Sequence, residues 1–247
     1  MTDKERVINA FKKVKALGFV PSNRSHNTGI GKTFEDYMNV VENNVPEADL
    51  YGFELKSQRE LSSSYLTLFT KKPSFPRGVN TYLRNTYGTP YEDSPQFKKL
   101  HTSIFSTYRN TYNRKYGFQL INSPEEHKLF IEISELDTGE IIERDIYYTY
   151  DDIERAINKL KNLLFVSADT KIINNIEHFH FTRADLYYRP TLGAFLRMVD
   201  IGEVMVDLRL GSYTSGKKIG KLHDHGTAFR IRPSNLLSLY EEKESVE

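Results

Sequence analysis

Apolar residues return at helical spacing at the start of the chain, where Val7, Ile8, Phe11, Val14 and Leu17 follow Thr2 or Asp3 as a cap and precede Gly18 as a stop. This pattern predicts an opening amphipathic helix. Ile30, Phe34, Tyr37, Met38 and Val41 mark one face of a second helix, begun in the run Asn27-Thr28-Gly29-Ile30-Gly31. From Ala48 the period shortens. Leu50, Phe53 and Leu55 alternate imperfectly with polar residues around a bend at Gly52, and Tyr65 to Thr70 reads as a further extended run. Residues 75–127 show little period and predict loops and short elements.

Leu129 to Ser134 and Ile141 to Tyr148 read as a hairpin around Asp137-Thr138-Gly139, followed by a helix carrying Ile153, Ile157, Leu160 and Leu164. Phe165 to Ala168 reads as a short strand. Leu192, Phe195, Leu196 and Val199 predict a late helix. After it, Val204, Val206, Leu208 and Leu210 alternate with Glu203, Met205, Asp207 and Arg209, which places Asp207 and Arg209 on one strand face. Phe229 and Ile231 alternate in the same way with Arg230 and Arg232. Helices and strands mixed in this manner imply an α/β or α+β fold.

The 247 residues can fill a sizeable core, and the absence of cysteine excludes disulfides and thiolate metal sites. No apolar run approaches bilayer length and no secretory pattern opens the chain, so a soluble cytoplasmic protein with no membrane partner is expected. A net charge of +1 conceals a strong segregation. Residues 71–115 carry nine Lys or Arg against Glu92 and Asp93, residues 125–154 carry eleven acids against Lys128 and Arg144, and residues 207–232 are basic again. Two basic segments far apart in sequence can converge on one polyanion; unrelated solvated faces are the alternative.

Asp49, Glu54 and Lys56 are the candidates for chemistry, with a surface strand that happens to bear a Glu and a Lys as the alternative. In a strand Glu54 and Lys56 point the same way, and a bend at Gly52 brings Asp49 back toward Glu54, making a hard-oxygen pocket for Mg²⁺ beside an ammonium group. Glu35, on the preceding helix, adds a third carboxylate to the site or its surroundings. Two phosphate-loop likenesses fail. Gly29-Ile30-Gly31-Lys32-Thr33 has His26 where the first glycine belongs, and Gly211 to Lys217 is followed by Lys218 instead of Ser or Thr. His223-Asp224-His225 has the spacing of a zinc pair but sits among Lys217, Lys218, Lys221 and Arg230, which disfavours a cation.

Asp207 beside Arg209 suits a G·C pair, the carboxylate accepting from cytosine N4 and the guanidinium donating to guanine O6 and N7. The alternative is a surface ion pair of little energetic value. Arg230 supplies a second guanine contact, and His223 and His225 suit base edges. Lys217, Lys218 and Lys221 suit phosphates, and Tyr213 in the same loop is counted among the DNA-facing residues.

The runs GIGKTFED, PEADLYGFELKS, LTLFTKKP and VDLRLGSYTSGKKIGKLHDHGTAFRI resemble the MvaI/BcnI family of type II restriction endonucleases, themselves similar to the nickase MutH. The resemblance implies a PD-(D/E)XK mixed sheet flanked by helices, with Asp49, Glu54 and Lys56 at the catalytic positions, Glu35 at the helix-borne acidic one, and Asp49 and Glu54 as metal ligands. Ala48 stands where the motif has proline. Asp207, Arg209, His223, His225 and Arg230 match the base-reading region, with Arg77 and Asn80 as contacts from the opposite groove.

The family further implies a C-shaped clamp on double-stranded DNA, with a catalytic lobe in residues 1–110 and a recognition lobe mainly in 111–247, the two lobes able to interleave. It implies a prokaryotic, Mg²⁺-dependent monomer that cuts sites such as CC(A/T)GG one strand at a time beside a cognate methyltransferase. A partner-dependent MutH-like nickase and an inactive DNA-binding module are the competing readings.

Overall fold

The computed structural model describes residues 1–24, 28–38, 50–60 and 64–246. Helix α1 (Asp3–Ala16) opens on a reciprocal cap: the Thr2 hydroxyl accepts from the Glu5 amide at 3.2 Å, and the Glu5 carboxylate accepts from the Thr2 amide at 2.7 Å. Val7, Phe11 and Val14 form its buried face. Strand β1 (Val20–Pro21) leads to helix α2 (Gly29–Tyr37), which buries Ile30, Thr33 and Phe34. Gly29 is required there, because a Cβ would lie 2.3 Å from the Arg24 carbonyl oxygen. Val41, assigned to this helix from its spacing, lies outside the described residues.

Leu50 pairs with Phe53 across Tyr51 and Gly52, whose φ angles of 50° and 77° are those of a primed two-residue turn. The turn feeds β2 (Glu54–Arg59), after which come β3 (Leu66–Thr70), α3 (Val79–Tyr87), β4 (Thr89–Pro90), β5 (Lys98–Ile104) and β6 (Tyr116–Ser123). The region expected to hold loops therefore contains a nine-residue helix and two full strands. Val79, Leu83 and Tyr87 do recur at helical spacing and are buried, but the polar residues between them mask the stripe.

The predicted hairpin is β7 (Lys128–Glu135) and β8 (Ile141–Thr149), followed by α4 (Tyr150–Ile157). Helical structure ends in a short 3₁₀ turn at Asn158–Leu160, and Leu164 belongs to β9 (Asn162–Ile173), not to the helix. Leu163, Leu164, Phe165 and Val166 are buried in succession, as expected of a strand covered on both faces. Strand β10 (Ile176–Pro190) returns through Asn174 and Asn175, both at positive φ. The remaining elements are α5 (Leu192–Asp200), β11 (Val204–Ser212), β12 (Leu222–Asp224), β13 (Ala228–Ile231) and β14 (Tyr240–Val246).

The chain is a mixed α+β protein of two compact units, each assembled from separated segments. The first comprises residues 1–64, 157–190 and 237–247, and the second comprises 65–156 and 191–236. Residue 110, the lobe boundary expected from the sequence, falls inside the second unit.

In the first unit the sheet order is β1-β10-β9-β2, with β14 also on β10; β2 and β9 run parallel and the other pairs antiparallel. Val7, Phe11, Ile30 and Phe34 from the two helices pack with Leu55, Leu164, Val166, Phe181 and Leu186 from the sheet. Each such side chain stabilises the fold by about 1.5–3 kcal/mol. The second unit holds an antiparallel sheet in the order β3-β13-β11-β5-β4, with β12 on β11, and a β6-β7-β8 meander. Buried Glu132 on β7 accepts a hydrogen bond from Arg109 and forms an ion pair with Arg144, which gives this acidic residue a structural function. Among the described residues no helix is long and apolar enough to cross a membrane.

Candidate active site and nucleic-acid interface

Strand β2 is the edge of the first unit's sheet, and its alternation sends Leu55 into the core and Glu54 and Lys56 to the other face. The Lys56 ammonium donates to Glu54 Oε1 at 2.5 Å, with the two side chains 23% and 19% exposed. Neither is free to wander over the surface. Helix α2 packs against β2, and Glu35 is half-buried on that helix. Asp49 lies outside the described residues. Leu50, which follows it in sequence, is hydrogen-bonded to Phe53, which precedes Glu54. Glu54, beside the Lys56 ammonium, and Glu35, on the helix packed against β2, are carboxylates of the kind Mg²⁺ takes; among the described residues no cluster of three or more such ligands forms.

The second unit gathers the later candidates around Asp207. This carboxylate has no exposed surface. Its Oδ2 accepts from Arg209 Nε at 3.0 Å, its Oδ1 lies 2.9 Å from Arg209 Nη2, and Arg230 Nε forms an ion pair with Oδ2 at 3.1 Å. The Ser103 hydroxyl, cross-strand on β5, adds a hydrogen bond to Oδ1 at 3.0 Å. One sequence expectation changes. Both faces of β11 are buried around Asp207, so that face is not a solvated one, and the carboxylate is enclosed by two guanidiniums and a hydroxyl. Asp207 holds the two arginines. Arg209 and Arg230 keep 38% and 28% of their side-chain surface.

Beside them, Tyr213 stacks on His223 with ring centroids 4.2 Å apart and planes 10° apart, and the His223 and His225 rings are 3.7 Å apart. The His225 amide donates to the Arg209 carbonyl at 2.8 Å. His101 completes the group: it pairs across the sheet with Arg209, is exposed, and meets the His225 ring edge-on at 6.3 Å. His101 is not marked in the sequence, because a lone histidine in a strand carries no signal until its cross-strand neighbour is known. Burial, then the Arg209 and His225 charges, pushes the His101 pKa below the ordinary histidine value. Burial, then His223, does the same to His225. Both rings therefore favour the neutral form at pH 7, with one donor and one acceptor nitrogen each.

Asn80 does not face outward. It is 2% exposed and donates to Asp224 Oδ2 and Thr227 Oγ1, each at 2.8 Å, so it braces the loop that carries His225 and makes no groove contact itself. Arg77 is exposed. A cleft of about 460 Å³ opens between Lys71, Lys72 and the Asp224 to Thr227 loop. Lys217, Lys218 and Lys221 are exposed on the loop between β11 and β12, with Lys218 over the Tyr213 ring at 5.5 Å.

The family model of the MvaI/BcnI restriction endonuclease family matches residues 8–240. The chain belongs to this family. As a member it is a type II site-specific deoxyribonuclease. It is similar to restriction endonuclease MvaI in a complex with its cognate DNA substrate, with a TM-score of 0.89, 34% identity, and coverage of 98% of this chain and 97% of that one. It is also similar to MvaI in the absence of DNA, with a TM-score of 0.66, 34% identity, and coverage of 100% and 98%. Comparison with curated protein sequences finds no match. Across the MvaI/BcnI likeness, both the Glu54–Lys56 pair and the Asp207–Arg209–Arg230 cluster lie within the matched residues.

Proposed function

We propose that this restriction endonuclease binds double-stranded DNA and, with Mg²⁺, hydrolyses phosphodiester bonds at a short site flanked by G·C pairs, of the CC(A/T)GG kind. The observation that carries the reading is the pair of guanidinium forks fixed by one buried carboxylate. Asp207 engages the Nε and Nη2 side of Arg209 and the Nε of Arg230, which leaves the outer N–H groups of both available. Each remaining fork matches the O6 and N7 acceptors of a guanine. His101, His223 and His225, with Tyr213 stacked alongside, are assigned to the neighbouring base edges. Lys217, Lys218, Lys221 and Arg77 are assigned to phosphates.

In the first unit, Asp49 and Glu54 are the proposed metal ligands, with Glu35 supporting them. Bound there, Mg²⁺ supplies Lewis-acid polarisation of the scissile phosphate and acidification of a coordinated water. Lys56 orients the attacking water and offsets the charge that develops on the phosphate oxygens. Glu54 holds Lys56 in the resting protein. A single such site in a monomer cuts one strand at a time, and a cognate methyltransferase in the same prokaryotic cytoplasm protects host DNA.

Incubating supercoiled plasmid with the protein and Mg²⁺ is expected to yield nicked circles before linear DNA with uniform ends, and sequencing those ends identifies the site. Concerted conversion to linear product at every protein concentration contradicts the monomer. Nicked circles that persist until another protein is added favour the MutH-like reading. Arg209→Ala is expected to weaken specific binding by about 1–3 kcal/mol and relax discrimination at one G·C pair. Competition with single-base variants of the site measures it, and equal weakening toward every sequence makes Arg209 a phosphate contact.

A further inference from the structure

Asp207, Arg209 and Gly211 occupy alternate positions of β11 and so belong to one face of that strand. The first two carry the ion-pair cluster; the third carries no side chain. Gly211 is not at positive φ, so the backbone itself does not call for glycine there. Space does. A Cβ at Gly211 would lie 2.6 Å from the Tyr91 hydroxyl oxygen, 3.2 Å from His225 Nε2 and 3.4 Å from the His223 carbonyl oxygen. The strand is pinned against retreat. The Gly211 carbonyl accepts from Nη1 of buried Arg84 at 3.2 Å, the Ser212 amide donates to the Tyr91 hydroxyl at 3.2 Å, and the Ser212 hydroxyl donates to the Lys98 carbonyl at 2.7 Å. His223, paired across from Gly211, has the Tyr213 ring 4.2 Å and the His225 ring 3.7 Å from its own. His225 is exposed, and is therefore the neighbour with room to yield.

We propose that Gly211 is a specificity-determining positioning residue: the space left by its missing side chain seats the His225 imidazole against β11 and so sets where that ring meets a base edge. The inference rests on the base-reading assignment of His225 given above. It gives the first glycine of the Gly211 to Lys217 run a function in place of the phosphate loop that the run fails to form. Alanine crowds the imidazole, and valine, which suits a strand, extends methyl groups into the space the ring occupies.

Competition binding on single-base variants of the cleavage site provides the test. Preference for the cognate base pair at one position is expected to fall a few-fold in Gly211→Ala and about tenfold or more in Gly211→Val, with the other positions still discriminated. In a His225→Ala background the valine is expected to cost nothing further at that position, because the two changes remove the same contact. Unaltered preference in Gly211→Val overturns the proposal. So does an equal loss with and without His225, which makes Gly211 a structural residue only. Thermal unfolding shows whether each variant folds; should Gly211→Val not fold, Gly211→Ala combined with Tyr91→Phe removes the 2.6 Å contact, leaves the crowding of His225, and is judged by the same outcomes. His225→Ala alone separates the two layers. If it keeps full discrimination, base reading by His225 fails, whereas lost discrimination in His225→Ala beside unaltered Gly211→Val removes only the function assigned to Gly211.

Discussion

Replacing Lys56 by alanine is expected to slow DNA cleavage by at least about 10²- to 10³-fold while leaving Mg²⁺-free specific binding close to that of the unaltered protein. The rate effect follows from the function proposed for the side chain in the bond-breaking step. An ammonium group held on a half-buried strand position needs little reorganisation to meet the charge growing on the phosphate. Binding is spared because the guanidinium forks and the stacked histidines belong to the other compact unit and make no use of Lys56.

Lys56→Arg is expected to rescue poorly, since the planar guanidinium is larger and cannot reproduce a compact point charge at that site. The measurement is a pair of assays on one preparation, a mobility shift on a cognate duplex and single-turnover cleavage of the same duplex. Loss of binding equal to loss of cleavage makes Lys56 a DNA anchor; undiminished cleavage removes it from the chemistry.

Much of the frame was legible because local signals agreed with the tertiary answer. The Thr2 and Glu5 cap, the stripe of Val7, Phe11 and Val14, the Asp137 to Gly139 hairpin turn and the alternation of β11 are all short-range patterns. Where burial is two-sided, such patterns lose their meaning. Leu160 and Leu164 keep helical spacing, yet β9 lies between two strands and buries successive residues, so period alone assigned Leu164 to the wrong element. The Asn174-Asn175 turn was a local hairpin signal, since asparagine tolerates positive φ, but the long strands beside it follow no clean alternation.

The site was legible to a similar depth. Residue types and spacing picked out Glu54 and Lys56, which the fold pairs, and Arg209 and Arg230, which it brings together. Spacing carried no information on which member of a polar cluster would be buried. Asp207 and Asn80 are both buried, Asp207 between two guanidiniums and Asn80 against Asp224 and Thr227. His101 needed the cross-strand register, which no single segment of sequence contains.

Asp207→Asn is expected to weaken specific binding more than either arginine substitution alone, and to do so at both guanines together. The carboxylate is the common partner of both guanidiniums, so its loss releases both of the proposed reading groups at once. An isosteric amide retains the volume but not the charge, which leaves two adjacent cations repelling one another over a fully buried neutral group. Breaking a buried ion pair from one side costs about 3–5 kcal/mol; the lower end applies here because both guanidiniums keep contact with water.

Urea unfolding should therefore show a stability loss of about 3 kcal/mol, and the binding loss should be non-additive with Arg209→Ala, since either change already frees that fork. Competition binding on single-base variants supplies the decisive comparison. Discrimination lost only at a cytosine, with both guanines still read, would return Asp207 to the role of a direct base acceptor. Full specific affinity in the amide variant would mean that Arg209 and Arg230 hold their places without it, and the buried carboxylate would no longer explain how the protein reads its site.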